Sequence, residues 1–279
     1  THYDQESKSS YKLEYDGERV VKTELEGDGD FRSPECVELL KESDIIVTNP
    51  PFSLYREFVA LLTKYDKKYV IWANNNSITY KEIFPLIKEN KMWLGYPCNK
   101  TLSFAVPNDY RYDEKETEKI SDGKHYGKVP AISVFTNLDI PKRHEPMLLG
   151  WKFEKGLEMG IYQKYDNYDA YNVDKVCQIP RDYDGVLGVP ITFLDKYCPE
   201  QFEILNANDY RTSDNVPKKS HGLIKDKEGY IREREREQLM LESASRELLA
   251  PGADGWHING KRKYARIFVV LRHGFTSNN

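Results

Sequence analysis

Short apolar runs bounded by polar residues alternate with stretches whose apolar positions recur every three or four residues. That alternation lays out the first half of the chain. Tyr11-Lys12-Leu13-Glu14-Tyr15 and the run from Arg19 to Leu25 flank an Asp16-Gly17 turn, which predicts a β-hairpin. Gly27-Asp28-Gly29-Asp30-Phe31 follows as a turn at a strand end. Ser33, Pro34 and Glu35 then open a helix with Val37, Leu39 and Leu40 on its apolar side. Ile45-Ile46-Val47, three β-branched residues in a row, read as a buried parallel strand. After it, Leu54 to Tyr65 forms an amphipathic helical pattern with Leu54, Phe58, Leu61 and Leu62 on one face, and Tyr69 to Ala73 reads as the next buried strand. Thr79-Tyr80-Lys81-Glu82 is a capping-box pattern for a helix to Asn90, which Pro85 should kink or shorten. Strands are predicted at Met92 to Tyr96, Leu102 to Val106 and Val129 to Thr136, with the polar stretch from Asn108 to Lys128 as a surface loop. The fold class expected is α/β, a three-layer arrangement with a parallel sheet and an antiparallel edge.

Beyond about Leu138 the pattern changes. Pro141 to Pro146 reads as a connector, and the chain then becomes rich in tyrosine and short turns. Ile231 to Leu249 carries the alternating charges of an exposed helix held by charge pairs. Asn259-Gly260 is a strong hairpin turn joining Trp256-His257-Ile258 to the run from Tyr264 to Leu271.

Composition narrows the class. The chain has 279 residues, enough for a sizeable core, and no apolar run as long as a membrane span. Its four cysteines are scattered without a Cys-x-x-Cys pair, so no metal site and no disulfide framework is expected, and a cytoplasmic location is. The net charge of -4 argues against indiscriminate nucleic-acid binding. Yet no acidic residue follows Asp254, while Lys261, Arg262, Lys263, Arg266 and Arg272 do. Such a basic terminal segment is either a solvated hairpin or a footprint for phosphates, with Lys261, Arg262, Lys263 and Arg266 as candidate DNA contacts.

The candidate chemistry lies where the strand Ile45 to Val47 runs into Asn49-Pro50-Pro51-Phe52. Two prolines stop ladder pairing and stiffen the exit, which sets Asn49 and Phe52 at the carboxyl edge of a strand, where open α/β sheets keep their ligands. An aromatic amino group is a poor nucleophile because its lone pair is delocalised into the ring. The Asn49 carboxamide oxygen and the Pro50 carbonyl can each accept one of its hydrogens, which favours the pyramidal nitrogen and frees the lone pair for an electrophilic methyl. Phe52 supplies a flat apolar face for the base. A base inside a duplex is out of reach, so such an enzyme must flip its target.

With these residues in view, the chain resembles the EcoRI-type family of adenine-specific DNA methyltransferases over nearly its whole length. The resemblance rests on Asp44 to Phe52, Tyr69 to Ala73, Val129 to Leu138, Arg143-His144-Glu145 and above all Tyr165 to Tyr197, within which Asp182 to Tyr197 is the most specific part. It implies S-adenosylmethionine as methyl donor and double-stranded DNA as substrate. A companion restriction endonuclease, a monomeric state and no membrane association go with that reading. It also implies a Rossmann-like methyltransferase sheet with helices on both faces over residues 1–138, followed by an α+β target-recognition region over residues 139–279. Asn49, Pro50, Pro51 and Phe52 match the family's catalytic motif, and Asp30 and Phe31 look like its acidic-aromatic pair for the donor's adenine. The family's first strand and cofactor loop are expected upstream of Thr1, and Val134 stands where the family pattern has an aromatic. Two rivals remain: a methyltransferase acting on RNA or on protein glutamine, and a non-catalytic DNA-binding remnant.

Overall fold

The computed structural model describes residues 2–4, 9–96, 100–107, 119–121, 123–166, 168–207, 256–259, 261–263 and 266–272. It is a mixed α/β chain with several sheets and few helices, and its contacts divide it into two units, residues 1–73 with 135–138, and residues 74–134 with 139–279. The charge-alternating run from Ile231 to Leu249 lies outside the described residues.

In the first unit, β1 (His2–Asp4), β2 (Ser9–Tyr15) and β3 (Val20–Glu24) form an antiparallel three-stranded sheet. Its hairpin turn is held by the Asp16 carboxylate, which accepts from the backbone N–H groups of Glu18 and Arg19, both at 2.9 Å. Helix α1 (Pro34–Glu42) starts as its sequence predicts: the Ser33 hydroxyl accepts from the Cys36 N–H and proline stands in the first turn. Strand β4 (Ile45–Thr48), helix α2 (Tyr55–Lys64) and strand β5 (Lys68–Asn74) then form a parallel β-α-β unit, with Ile45 opposite Lys68 and Thr48 opposite Ile71. Tyr55, Phe58, Val59 and Leu62 of α2 are buried, as are Tyr69, Ile71 and Ala73 of β5 at the alternate spacing of a strand. On the far side of β5, the Tyr69 N–H donates to the Asn137 carboxamide (2.9 Å) and the Tyr69 carbonyl accepts from Thr136 Oγ1 (2.6 Å).

The expectation that Ile45-Ile46-Val47 is buried needs correction. Ile45 is 51 % and Val47 64 % exposed. β4 ends the strand order of its sheet, and among the described residues nothing covers the face these two side chains share. The apolar pattern reported the strand correctly but not which of its faces is covered.

In the second unit, α3 (Phe84–Lys88) is much shorter than the helix predicted from Thr79 to Asn90. Pro85 sits in its first turn, where a missing N–H costs nothing, and the residues before it, Asn75–Thr79, form a 3-10 turn instead of a capping box. Strands β6 (Trp93–Leu94), β7 (Lys100–Val106) and β8 (Lys119–Ser121) all pair with the long strand β9 (Lys124–Thr136), β7 and β8 antiparallel. Part of the stretch read as a surface loop is therefore strand, because its polar residues gain ladder partners that periodicity does not reveal.

Helix α4 (Phe153–Glu158) and strands β10 (Gln163–Lys164), β11 (Tyr171–Asn172), β12 (Leu187–Pro190), β13 (Phe202–Ala207), β14 (Trp256–Ile258), β15 (Lys261–Lys263) and β16 (Arg266–Leu271) complete this unit. Five of these strands form one sheet in the order β10-β11-β12-β16-β13, over a core that includes Tyr165, Tyr168, Ala170, Ile258 and Phe268. β14 and β15 make the hairpin that Asn259-Gly260 predicts, with Asn259 in the left-handed region at φ 50°. The hairpin partner is Lys261 to Lys263, whereas Arg266 to Leu271 joins the five-stranded sheet.

Candidate active site

β4 ends at Thr48, and the two prolines that follow prevent its ladder from continuing. Pro50 is buried and anchors the turn, while Asn49 and Pro51 are exposed. The chain turns at once into a 3-10 segment, Phe52–Leu54, in which the Pro51 carbonyl accepts from the Leu54 N–H (3.0 Å), and runs on into α2. That leaves the Asn49 carboxamide and the Pro50 carbonyl without a hydrogen-bond partner among the described residues. Phe52 is 48 % exposed, although a phenylalanine beside a helix start would ordinarily turn inward. An exposed carboxamide, a neighbouring carbonyl with no described partner and an uncovered ring on one short turn are what an incoming planar amino-bearing base requires.

Asp30 and Phe31 lie in the same unit and are tied to the helix that follows Phe52. The Phe31 ring meets Phe58 of α2 edge-on, with centroids 5.1 Å apart, a pairing that contributes about 1 kcal/mol beyond area burial. Arg32 makes the second tie. Its backbone N–H and Nε donate to Asp30 Oδ1 (2.8 and 2.9 Å), Nη2 donates to Asp30 Oδ2 (2.7 Å), and Nη1 donates to Glu57 Oε2 of α2 (3.0 Å). The Arg32 hydrogen bonds hold the Asp30 carboxyl down at about 2, so it is an anion and a pure acceptor at any working pH. A carboxylate that can only accept, next to a half-buried aromatic ring, fits the amino edge and ring of an adenine. Arg32 and Glu57 escaped the sequence reading. The signal that could have found Arg32 is its place two residues after an aspartate in a turn.

The four basic candidates near the C-terminal end, all in the second unit, divide. Lys261 is exposed at the hairpin, and the Arg262 backbone pairs with His257. Lys263 Nζ stands 3.5 Å from Asp174 Oδ1, and Arg266 donates to Asn172 Oδ1 (2.9 Å) and Asp174 Oδ1 (3.1 Å). The hydrogen bond from Asn172, and then these two cations, hold the Asp174 carboxyl below its ordinary value. Lys263 and Arg266 are therefore occupied within the fold.

The Arg143-His144-Glu145 segment is also structural in its first two members. The Arg143 guanidinium lies 3.8 Å from the Trp93 ring centroid and donates to Asn90 Oδ1 (2.7 Å). The two ring nitrogens of His144 face Asp139 (2.7 Å) and Glu200 (2.9 Å). Nearby, Lys142, Glu145, Met147, Val176, Cys177 and Lys196 line part of a cleft of about 400 Å³, which is more apolar than charged. Among the described residues no group of His, Cys, Asp and Glu could hold a metal ion, and no helix is long and apolar enough to cross a membrane.

The family described as adenine-specific methyltransferase EcoRI matches residues 1–272. The chain is 50 % identical over 205 residues to the Type II methyltransferase M.EcoRI of Escherichia coli, covering 73 % of this chain and 62 % of that protein. It is 39 % identical over 262 residues to M.MgeORF184P of Mycoplasma genitalium (92 % and 74 % covered) and 36 % over 268 residues to M.MpnI of Mycoplasma pneumoniae (95 % and 75 % covered), both also Type II methyltransferases. It thus spans about three quarters of the length of two of these relatives and less than two thirds of the third. No solved structure matches it. With a family match over residues 1–272, the chain belongs to the EcoRI family of adenine-specific methyltransferases.

Proposed function

We propose that this protein transfers a methyl group to the N6 amino group of a flipped adenine in double-stranded DNA, as the modification half of a restriction-modification pair. The observation that carries this reading is the turn Asn49 to Phe52 at the end of β4, where Asn49 and the Phe52 ring are exposed and the Asn49 carboxamide and Pro50 carbonyl have no partner among the described residues. Asn49 Oδ1 and the Pro50 carbonyl each accept one hydrogen of the adenine amino group, and Phe52 covers the face of the extruded base. Holding both hydrogens localises the nitrogen lone pair, and the extra proton leaves to water after transfer. No general base and no covalent enzyme intermediate are required. S-adenosylmethionine supplies the electrophilic methyl, with Asp30 and Phe31 as the residues that hold its adenine.

The sheet is read as the Rossmann-like methyltransferase type, supported by the parallel β4-α2-β5 unit with the catalytic turn at its carboxyl edge. Residues 1–138 are assigned to catalysis and 139–279 to DNA target recognition, in a cytoplasmic enzyme acting as a monomer. A cysteine after proline, the context of thiolate attack on cytosine carbons, does occur at Pro97-Cys98. The choice of adenine over a cytosine carbon therefore rests on the Asn-Pro-Pro-Phe turn.

The test is Asn49→Ala, assayed by transfer of labelled methyl to duplex DNA. Loss of a preorganised acceptor at the reacting nitrogen is expected to lower the rate by at least about a hundredfold. Because Asn49 is exposed and bonded to no described residue, stability should change by less than about 0.5 kcal/mol. Near-normal turnover by a folded Asn49→Ala variant would remove this assignment.

A further inference from the structure

We propose that Arg32 is a positioning residue for adenine recognition: it occupies all but one acceptor place of the Asp30 carboxylate and fixes the remaining one toward the cofactor's amino group. The inference rests on the reading of Asp30 as the group that holds the donor's adenine, and it says how that carboxylate is made selective.

A carboxylate offers about four lone-pair places. In this structure Asp30 Oδ1 accepts twice, from the Arg32 backbone N–H and from Arg32 Nε, and Oδ2 accepts once, from Arg32 Nη2. One place remains, on Oδ2, and an exocyclic amino group directed at it has one N–H to give. The carboxylate cannot turn away, because Nε and Nη2 grip separate oxygens in a two-pronged fork that only a guanidinium provides. The fork is itself held, since Nη1 reaches Glu57 on α2 at 3.0 Å. The turn beneath it is fixed as well: the Asp30 N–H donates to Asp28 Oδ1 (3.0 Å) and its carbonyl accepts from the Ser33 N–H (2.9 Å) at the start of α1. Arg32 thus joins the adenine acceptor to the helix that follows the catalytic turn. Its side chain is about half exposed, so its removal leaves the core intact.

A 6-oxo purine in the same place would present an oxygen to an anion with no proton to share. Discrimination between a 6-amino and a 6-oxo purine is therefore the direct readout of a fixed Asp30 oxygen. The experiment is calorimetric titration of the full-length protein with S-adenosylhomocysteine and with S-inosylhomocysteine, its 6-oxo counterpart. Wild type, Asp30→Ala, Arg32→Ala and Arg32→Lys are compared, with circular dichroism to confirm that each is folded.

Wild type is expected to favour the adenosyl ligand by about ten- to a hundredfold, the effect of one charge-assisted hydrogen bond. Asp30→Ala and Arg32→Ala should both collapse that preference by weakening the adenosyl ligand and leaving the inosyl ligand nearly unchanged. Arg32→Lys should not restore it, because an ammonium cannot grip both oxygens. If Asp30→Ala collapses the preference while both Arg32 variants keep it, the role of Arg32 is overturned and the Asp30 reading stands. If wild type shows no preference, or Asp30→Ala retains it, the Asp30 reading itself falls and the inference with it.

Discussion

Each named side chain near the proposed chemistry is defined by what its neighbours leave open. Asn49 is exposed and bonds to none of the described residues, so its side chain adds little to stability and its carboxamide is open to a partner. Asp30 is the opposite case, saturated but for one place. His144 shows how a residue legible as a family motif serves the fold. Hydrogen bonding to Asp139, and then to Glu200, raises its pKa above the ordinary 6.5. A group whose folded pKa is raised stabilises fully below its unfolded value, and that contribution is lost as pH rises through the folded value. The stability difference between wild type and His144→Ala should therefore be largest at mildly acidic pH and vanish on the alkaline side. NMR titration of the imidazole should place its midpoint above 6.5, and Asp139→Asn should bring it down. A midpoint unmoved by Asp139→Asn would show that the pairing does not persist in solution.

At the scale of elements, close approach decides what the pattern cannot. Gly188 lies in β12, paired with Phe268 of β16, and a Cβ there would come within 2.4 Å of the Tyr165 hydroxyl. That hydroxyl belongs to a buried ring and donates to Asn172 Oδ1 at 3.1 Å, so it has little freedom to retreat. Gly188→Ala is expected to destabilise by about 1–3 kcal/mol, read from the urea midpoint with an unchanged slope. A shift near zero would mean that the tyrosine is more mobile than its contacts imply. The glycine here lies in a strand and makes room for an aromatic ring. The same limit explains α3: a capping box competes with a proline three residues beyond it, and the proline sets where the helix begins.

For the molecule as a whole, the proposed DNA partner makes charge the relevant quantity. The net charge is -4, so binding must come from local cations and not from overall attraction. Of the C-terminal candidates with described side chains, Lys261 is exposed, while Lys263 and Arg266 answer to Asp174. Lys261→Ala is expected to weaken DNA binding evenly across sequences and to reduce the slope of log affinity against log salt by about 0.9. Arg266→Ala should act instead through stability, by lowering the melting temperature. If Lys261→Ala leaves the salt slope unchanged, the hairpin is a solvated surface and not a phosphate contact.

Much of this protein is determined by sequence alone, because the decisive features are local. The Asn49 to Phe52 turn, the Ser33 cap and the Asn259 turn follow from backbone chemistry within a few residues, and the family follows from motifs spread along the chain. Tertiary structure alone decided which face of β4 is covered, how far β9 extends, and that Arg32, bound to Asp30, reaches Glu57 25 positions further along the chain. The physical reason is the same in each case. Burial, ladder pairing and ion pairing depend on partners distant in the chain, and no periodicity within a segment carries their position.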